Sequence, residues 1–316
     1  MRIVVLAGGV GGSKLLWGMQ QEPGAESLTA IVNTGDDIEL HGLRISPDLD
    51  IVTYALADLV DTERGWGLAG DTFQCLELMT RYGLPGWFKL GDRDLGTHIF
   101  RTQALRQGRR LTEVAETVRQ ALGVRARVLP MADDPVGTYI LVRDGTIRSL
   151  HFQEYLVQRG AVDEVHGVEY RGSVCAHLTP EVAAALAEAE AIVIAPSNPV
   201  ASIGPILAVP KIRERLRARR VPLLLVSPVV GGRVLKGPTD KFLRWAKVEV
   251  SPLGVARFYL SILGALDGIL IDRADEDRRS DIEALGVRVA VGDIVMRSPE
   301  DKRRVARLVL DFLEGL

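Results

Sequence analysis

Cysteine is nearly absent: Cys75 and Cys175 are the only two in 316 residues. That excludes a disulfide framework and any Cys-rich zinc site, and it suits a reducing cytoplasm. Neither sits in a nucleophile context, so both are expected as small buried side chains. A dominant charge is missing as well. Thirty-nine Lys+Arg against 41 Asp+Glu leave a formal charge of −2, so no global field selects nucleic acid or an anionic membrane. No apolar stretch reaches the ~18 residues of a membrane span. The opening MRIVVLAGG lacks a cleavage pattern and reads as a buried strand rather than a signal peptide. Internal repeats, low-complexity tracts and Ser/Gly linkers are also lacking, so residues 1–316 read as one domain. What is plentiful is glycine: 32 residues, clustered after apolar runs. Together these features predict a cytoplasmic small-molecule enzyme.

Short apolar runs at Ile3–Leu6, Leu28–Val32, Tyr139–Val142, Ile192–Ala195, Pro222–Val226 and Ile269–Ile271 have strand length and little polar alternation. That pattern predicts strands buried on both faces, as in a parallel sheet covered by helices. Between them lie helical patterns. Thr179 before Pro180 and Ser298 before Pro299 are expected N-caps, the second opening an amphipathic helix to Leu316. Its apolar face suits either a domain core or a homodimer. Alternating elements predict an α/β, doubly wound, mostly parallel Rossmann-like sheet. Residues 56–122 read as a mostly helical insertion covering the end of that sheet, and GTYILVRDGTIRSLHF at 137–152 reads as a β-hairpin through Asp144-Gly145.

The first strand runs into Gly8-Gly9-Val10-Gly11-Gly12-Ser13-Lys14. Glycines at a strand-to-helix turn let backbone N–H groups approach an anion, so Gly9, Gly11 and Gly12 are candidate phosphate binders. The string is neither a Walker A loop nor a complete G-x-G-x-x-G, because Lys14 follows Ser13 and takes the last glycine position. After the second strand come Asp36, Asp37, Asp48 and Asp50, four aspartates within fifteen residues. If they converge at the sheet edge, a cation must neutralise them, and oxygen-only ligands favour Mg²⁺. The plainer alternative makes Asp36 or Asp37 the cap of a helix entering at Ile38, and Asp48 the cap of the next. His41 is expected to orient its loop. In Gly91-Asp92-Arg93-Asp94-Leu95-Gly96-Thr97-His98, Arg93 offers a fork for phosphate or carboxylate, or else pins the loop by pairing with an aspartate.

Past the later strands, Ser197-Asn198 supplies neutral donors, Gly231-Gly232 permits close backbone approach, and Arg233 and Lys236 add positive charge. The basic run Lys211–Arg220 lacks interleaved aromatics and reads as a solvated helix face, not a nucleic-acid patch. The mixed run Asp272–Glu283 likewise reads as surface.

These motifs have a family resemblance. AGGVGGSK, VNTGDD, HGLRISPDLD, RGWGLAGDT, WFKLGDRDLGTH, HFQEYLV, APSNPVASIGPIL and SPVVGGRVLKG occur in this order from Met1 to about Gly237. The series resembles the 2-phospho-L-lactate transferase family of coenzyme F420 biosynthesis, and the C-terminal VGDIVM is compatible with it. The resemblance implies transfer of a phospho-three-carbon acid, lactyl or enolpyruvyl, from a guanosine diphosphate donor to the deazaflavin Fo. GMP is released, with Mg²⁺ as the expected ion. On this reading Asp36 and Asp50 surround the metal and the acceptor hydroxyl, and Asp50 and Lys89 bind Fo. Gly9, Gly11, Gly12, Ser197, Asn198, Gly231 and Gly232 serve the donor. Asp50→Ala is expected to abolish turnover while sparing the thermal transition. The rival readings are a UDP-sugar-binding regulator of the gluconeogenesis-factor type and an NAD-dependent oxidoreductase, the latter disfavoured by the broken fingerprint.

Overall fold

A computed structural model describes residues 1–23, 27–235 and 237–316. Lys236, expected to add charge beside Gly231-Gly232, lies outside the described residues.

The chain opens with β1 (Ile3–Ala7), α1 (Gly9–Gln20) and β2 (Leu28–Val32), followed by a small hairpin of β3 (Ile38–Leu40) and β4 (Leu43–Ile45). Four helices come next: α2 (Pro47–Leu56), α3 (Gln74–Arg81), α4 (Asp94–Arg106) and α5 (Leu111–Ala121). Then β5 (Arg127–Pro130) returns to the main sheet. A separate antiparallel sheet contains β6 (Gly137–Asp144), β7 (Thr146–His151) and β8 (Gly167–Arg171). The second half runs α6 (Pro180–Glu188), β9 (Ala191–Ile194), α7 (Ile203–Ala208), α8 (Pro210–Arg217) and β10 (Leu223–Val226). A two-residue hairpin, β11 (Val229–Val230) and β12 (Arg233–Val234), precedes α9 (Thr239–Trp245) and α10 (Pro252–Leu263). The chain closes through β13 (Gly268–Asp272), α11 (Arg279–Glu283), β14 (Arg288–Gly292) and α12 (Pro299–Glu314).

The main sheet has seven strands in the order β14-β13-β10-β9-β1-β2-β5, and every pairing in it is parallel. Alternation along β1 shows why it reads as a continuous apolar run. Val4 and Leu6 join one core with α7, α8 and α10, while Ile3, Val5 and Ala7 join the other with α1, α2 and α12. A strand buried on both faces has no polar face to display. From β1 the chain builds outward to β2 and β5, then returns to build the other way from β9. The carboxyl ends of β1 and β9 are therefore the switch point, where such sheets leave a crevice.

The doubly wound reading thus holds, with local corrections. Tyr139–Val142 lies in the antiparallel sheet, not the main one, although the hairpin through Gly145 forms as expected. The residues entering at Ile38 form a strand rather than a helix, so neither Asp36 nor Asp37 is a cap there. Thr179 and Ser298 do cap their helices, Ser298 in a reciprocal box with Asp301. The face of α12 packs on the sheet through Val305, Val309 and Leu313. Both cysteines are exposed rather than buried.

Candidate active site

The glycine loop is shaped by a second loop pressed against it. Gly8 is extended, and Gly9 has φ +62°, a conformation that favours glycine. A Cβ on Gly11 would stand 2.2 Å from the Pro196 carbonyl oxygen, and one on Gly12 2.9 Å from both Ala7 Cβ and Ser197 Oγ. Ser197 stitches the two loops by donating its hydroxyl to the Gly8 carbonyl (2.7 Å) and accepting from the Gly8 N–H (3.3 Å). Its hydroxyl is thereby committed to the scaffold. Asn198 Oδ1 accepts from the Val200 and Ala201 N–H groups, leaving the Nδ2 amide as its remaining donor.

These loops border a cleft of about 550 Å³. Gly8, Gly9 and Gly11 line it from β1, and Ser197 and Asn198 from β9, while Gly12 lies behind them. Val230 and Val234 reach the cleft, but Gly231 and Gly232 form the hairpin tip and do not line it. Asp275 holds that tip by accepting the Gly231 N–H (2.8 Å). Asp275 and Asp272 are buried, so the run 272–283 is not simply a solvated surface.

The four aspartates converge only in part. Asn33 Nδ2 donates to Asp36 Oδ1 (3.0 Å) and to Asp48 Oδ2 (2.9 Å), bringing these two carboxylates face to face. Gln153 Nε2 approaches Asp36 Oδ2 at 3.4 Å. Burial, and then the charge of Asp48, push Asp36 well above the ordinary carboxylate range. Burial raises Asp48 to about 6 against the opposing Asn33 and Gly9 hydrogen bonds. Asp37 does not line the cleft: it accepts from Ser46 Oγ (2.7 Å), and burial lifts it to about 7. Ser46 is the N-cap position of α2, which places Asp48 and Asp50 in the first turn.

Asp50 is turned another way. Arg101, 3% exposed, engages both its oxygens, with Nη1 donating to Oδ2 at 3.1 Å and Nη2 contacting Oδ1. Beside Asp50, His98 and Asp94 of α4 and Tyr54 of α2 complete a polar wall in which Asp94 is half-buried and the others buried. Lys89 is exposed and borders the same wall beside Phe88. Arg93 donates to the Ala69 carbonyl (2.9 Å), not to a carboxylate. The pin of its loop is Asp71, which accepts the N–H groups of Thr72, Arg93 and Asp94. His41 is the first of the two turn residues of the β3–β4 hairpin, with φ +54°.

Sequence reasoning missed Arg101 and Tyr54. Arg101 lies in the interior of α4, 51 positions from Asp50 and outside the recognisable blocks. Tyr54 stands four residues after Asp50, a helical spacing that places both on one face and was the available signal.

The wider relationships agree with this geometry. Residues 3–295 match the family model described as 2-phospho-L-lactate transferase CofD. A phosphoenolpyruvate transferase of Streptomyces griseus is 44% identical over 316 residues, covering 99% of both chains. A 2-phospho-L-lactate transferase of Methanosarcina mazei is 39% identical over 308 residues, covering 98% of this chain and 99% of the relative. A solved structure of a UPF0052 family member from Bacillus halodurans shares the fold, with TM-score 0.64, 19% identity and 98% of each chain covered. Among the described residues no helix is long and apolar enough to cross a membrane. The chain belongs to the 2-phospho-L-lactate transferase CofD family, and is a transferase by class.

Proposed function

We propose that this transferase moves a phospho-three-carbon-acid group, 2-phospho-L-lactate or phosphoenolpyruvate, from a guanosine diphosphate-linked donor to the deazaflavin Fo of coenzyme F420 biosynthesis. The acceptor's primary hydroxyl oxygen forms the new bond to the phosphorus bearing the acid. The bond from that phosphorus to the GMP phosphate oxygen breaks, GMP departs, and the hydroxyl proton is released. The observation that carries the reading is the meeting, in one cleft, of the glycine loop, the Asp36–Asp48 pair and the Asp50 wall. Transfer of this kind depends on alignment and charge neutralisation more than on a covalent nucleophile.

The donor diphosphate is assigned to Gly9 and Gly11 at the amino end of α1, whose dipole favours anions. Asn198 serves the same partner from β9. Gly12 and Ser197 act indirectly by holding the two loops together, and Gly231-Gly232 by shaping the hairpin that carries Val230 and Val234. Fo is assigned to the wall of Asp50 and Lys89, beside the apolar surfaces of Trp66 and Phe88. Asp50, clasped by Arg101, is a fixed acceptor, so its part is to orient the hydroxyl by hydrogen bonding.

The donor set also fits a hard divalent cation such as Mg²⁺. Two buried carboxylates are driven toward their neutral forms unless positive charge arrives. Among the described residues no group of three or more His, Cys, Asp or Glu side chains is arranged to hold a metal. Waters and substrate phosphates would therefore complete the shell, as is usual for Mg²⁺. We assign the ion to Asp36 and Asp48, because Arg101 already occupies both oxygens of Asp50. When bound, it neutralises phosphate charge. Purified protein incubated with Fo, Mg²⁺ and each guanosine diphosphate donor should yield a phospho-acid adduct of Fo together with GMP. Mass spectra without that adduct for every donor would refute the assignment.

A further inference from the structure

We infer that Arg101 and His98, on one face of α4, are positioning residues that set the Asp50 carboxylate for the acceptor hydroxyl. The inference rests on the acceptor role given to Asp50 above. Asp50, Tyr54, Asp94 and His98 all line the cleft, whereas Arg101 stands behind them. Arg101 therefore acts through Asp50 rather than on a substrate.

The contacts set these polar groups in one rank. Arg101 gives one guanidinium nitrogen to each oxygen of Asp50, which fixes the plane of the carboxylate. Its Nη1 also reaches the Arg44 carbonyl at 3.4 Å and His98 Nδ1 at 3.2 Å. A guanidinium has only donors, and the two Nη1 hydrogens are shared among these partners, so Nδ1 is assigned as an acceptor toward Arg101 and the ring hydrogen to Nε2. That nitrogen lies 3.3 Å from Asp94 Oδ2, near but off the line of a hydrogen bond. The Tyr54 hydroxyl donates to Asp94 Oδ1 at 2.7 Å and shares a hydrogen bond with Thr97 Oγ1 at 2.7 Å. A rank of groups thus runs from Tyr54 through Asp94, His98 and Arg101 to Asp50, joining α2 to α4.

Filling this volume did not require charge. Apolar side chains of similar size pack a helix interface at least as well, because burying an ion pair carries a desolvation cost. What the polar rank supplies is direction. With each oxygen bound on its Arg101 side, Asp50 presents its remaining lone pairs to the cleft in a fixed orientation. The GDRDLGTH block thereby gains a role: it contributes Asp94 and His98 to the wall that Arg101 backs.

The test measures steady-state constants for both substrates, and thermal transitions, in Arg101→Met, Arg101→Lys, His98→Leu and His98→Gln. Arg101→Met and His98→Leu should lower kcat/KM for the acceptor by about tenfold or more, the loss of one charge-assisted contact. The donor KM should stay within about twofold, since its loops lie on the other wall. Arg101→Lys should recover only part of the loss, keeping charge without the fork. His98→Gln should recover more, because its amide oxygen can still accept from Arg101. Unchanged acceptor constants in a folded variant, or equal damage to both substrates, would overturn the inference. If Arg101→Met does not fold, the His98 pair decides. Asp50→Asn separates the two readings. If it leaves the acceptor constants intact, the acceptor role of Asp50 fails and this inference with it. If it impairs the acceptor while the Arg101 and His98 variants do not, this inference alone fails.

Discussion

The two walls of the cleft are built from different materials. On the wall proposed for the donor, β1 and β9 end side by side, and the surfaces offered are mostly backbone: glycines, a serine that stitches loop to loop, an asparagine that caps a turn. On the wall proposed for the acceptor, α2 and α4 offer side chains, a largely buried rank of two aspartates, a histidine, an arginine and a tyrosine. A parallel sheet fixes the ends of its strands for every molecule of the fold, so a phosphate site there needs only close approach. An acceptor hydroxyl must be held in one direction, and helices added beside the sheet need charged forks to do that.

Breaking the donor wall should have the largest effect. Gly11→Val puts a branched side chain where a Cβ already stands 2.2 Å from the Pro196 carbonyl oxygen, so the interlocked loops must part. Donor binding should be lost, with destabilisation of about 3 kcal/mol or more, read by calorimetric titration and thermal melting. Retained donor affinity would show that the loops do not form the phosphate site. Next comes the acceptor wall. Asp50→Ala, expected from sequence alone to spare the thermal transition, leaves Arg101 buried without its carboxylate and should cost about 3–5 kcal/mol. A melting temperature equal to that of the unmodified chain would mean that the ion pair does not exist in solution.

A smaller effect belongs to Asp37, beneath the loop between the walls. Burial raises it to about 7 from 3.8, so the folded state keeps a proton that the unfolded state releases within that window. Stability attributable to this group therefore falls as pH rises from about 4 to 7, and the full penalty remains above that. Asp37→Asn, which can still accept from Ser46, should gain on the order of 2–4 kcal/mol over the unmodified protein near pH 8 and almost nothing near pH 4. An identical pH slope in the two proteins would remove this cause. The smallest effect should come from Arg215 and Arg217 on the exposed side of α8, far in function from either wall. Their replacement by Gln should change stability by less than about 0.5 kcal/mol and leave both KM values alone.

The contrast between the walls also explains what could be read from the sequence. Central strands are almost wholly apolar because both faces are covered; Leu28–Val32, with only Thr29 polar, was found to the residue, and the other central strands to within one residue at each end. The edge strands β5 and β14 were missed because an edge tolerates Arg127 and Arg288, which interrupt the apolar run. The glycine loop was legible because close approach demands glycine. The pairing of Asp36 with Asp48 was not, since it depends on Asn33 sharing one amide between a loop and the first turn of α2. Arg101 carried no local signal at all: an arginine inside a helix looks the same whether it faces water or a buried carboxylate.

The most direct measurement is a crystal structure with Fo and a guanosine diphosphate-linked acid, or an unreactive analogue of it, bound together. The account predicts the diphosphate over Gly9 and Gly11 and the acceptor's primary hydroxyl within hydrogen-bond reach of an Asp50 still clasped by Arg101. A deazaflavin bound away from the α2–α4 wall, or a diphosphate away from the end of β1, would contradict it.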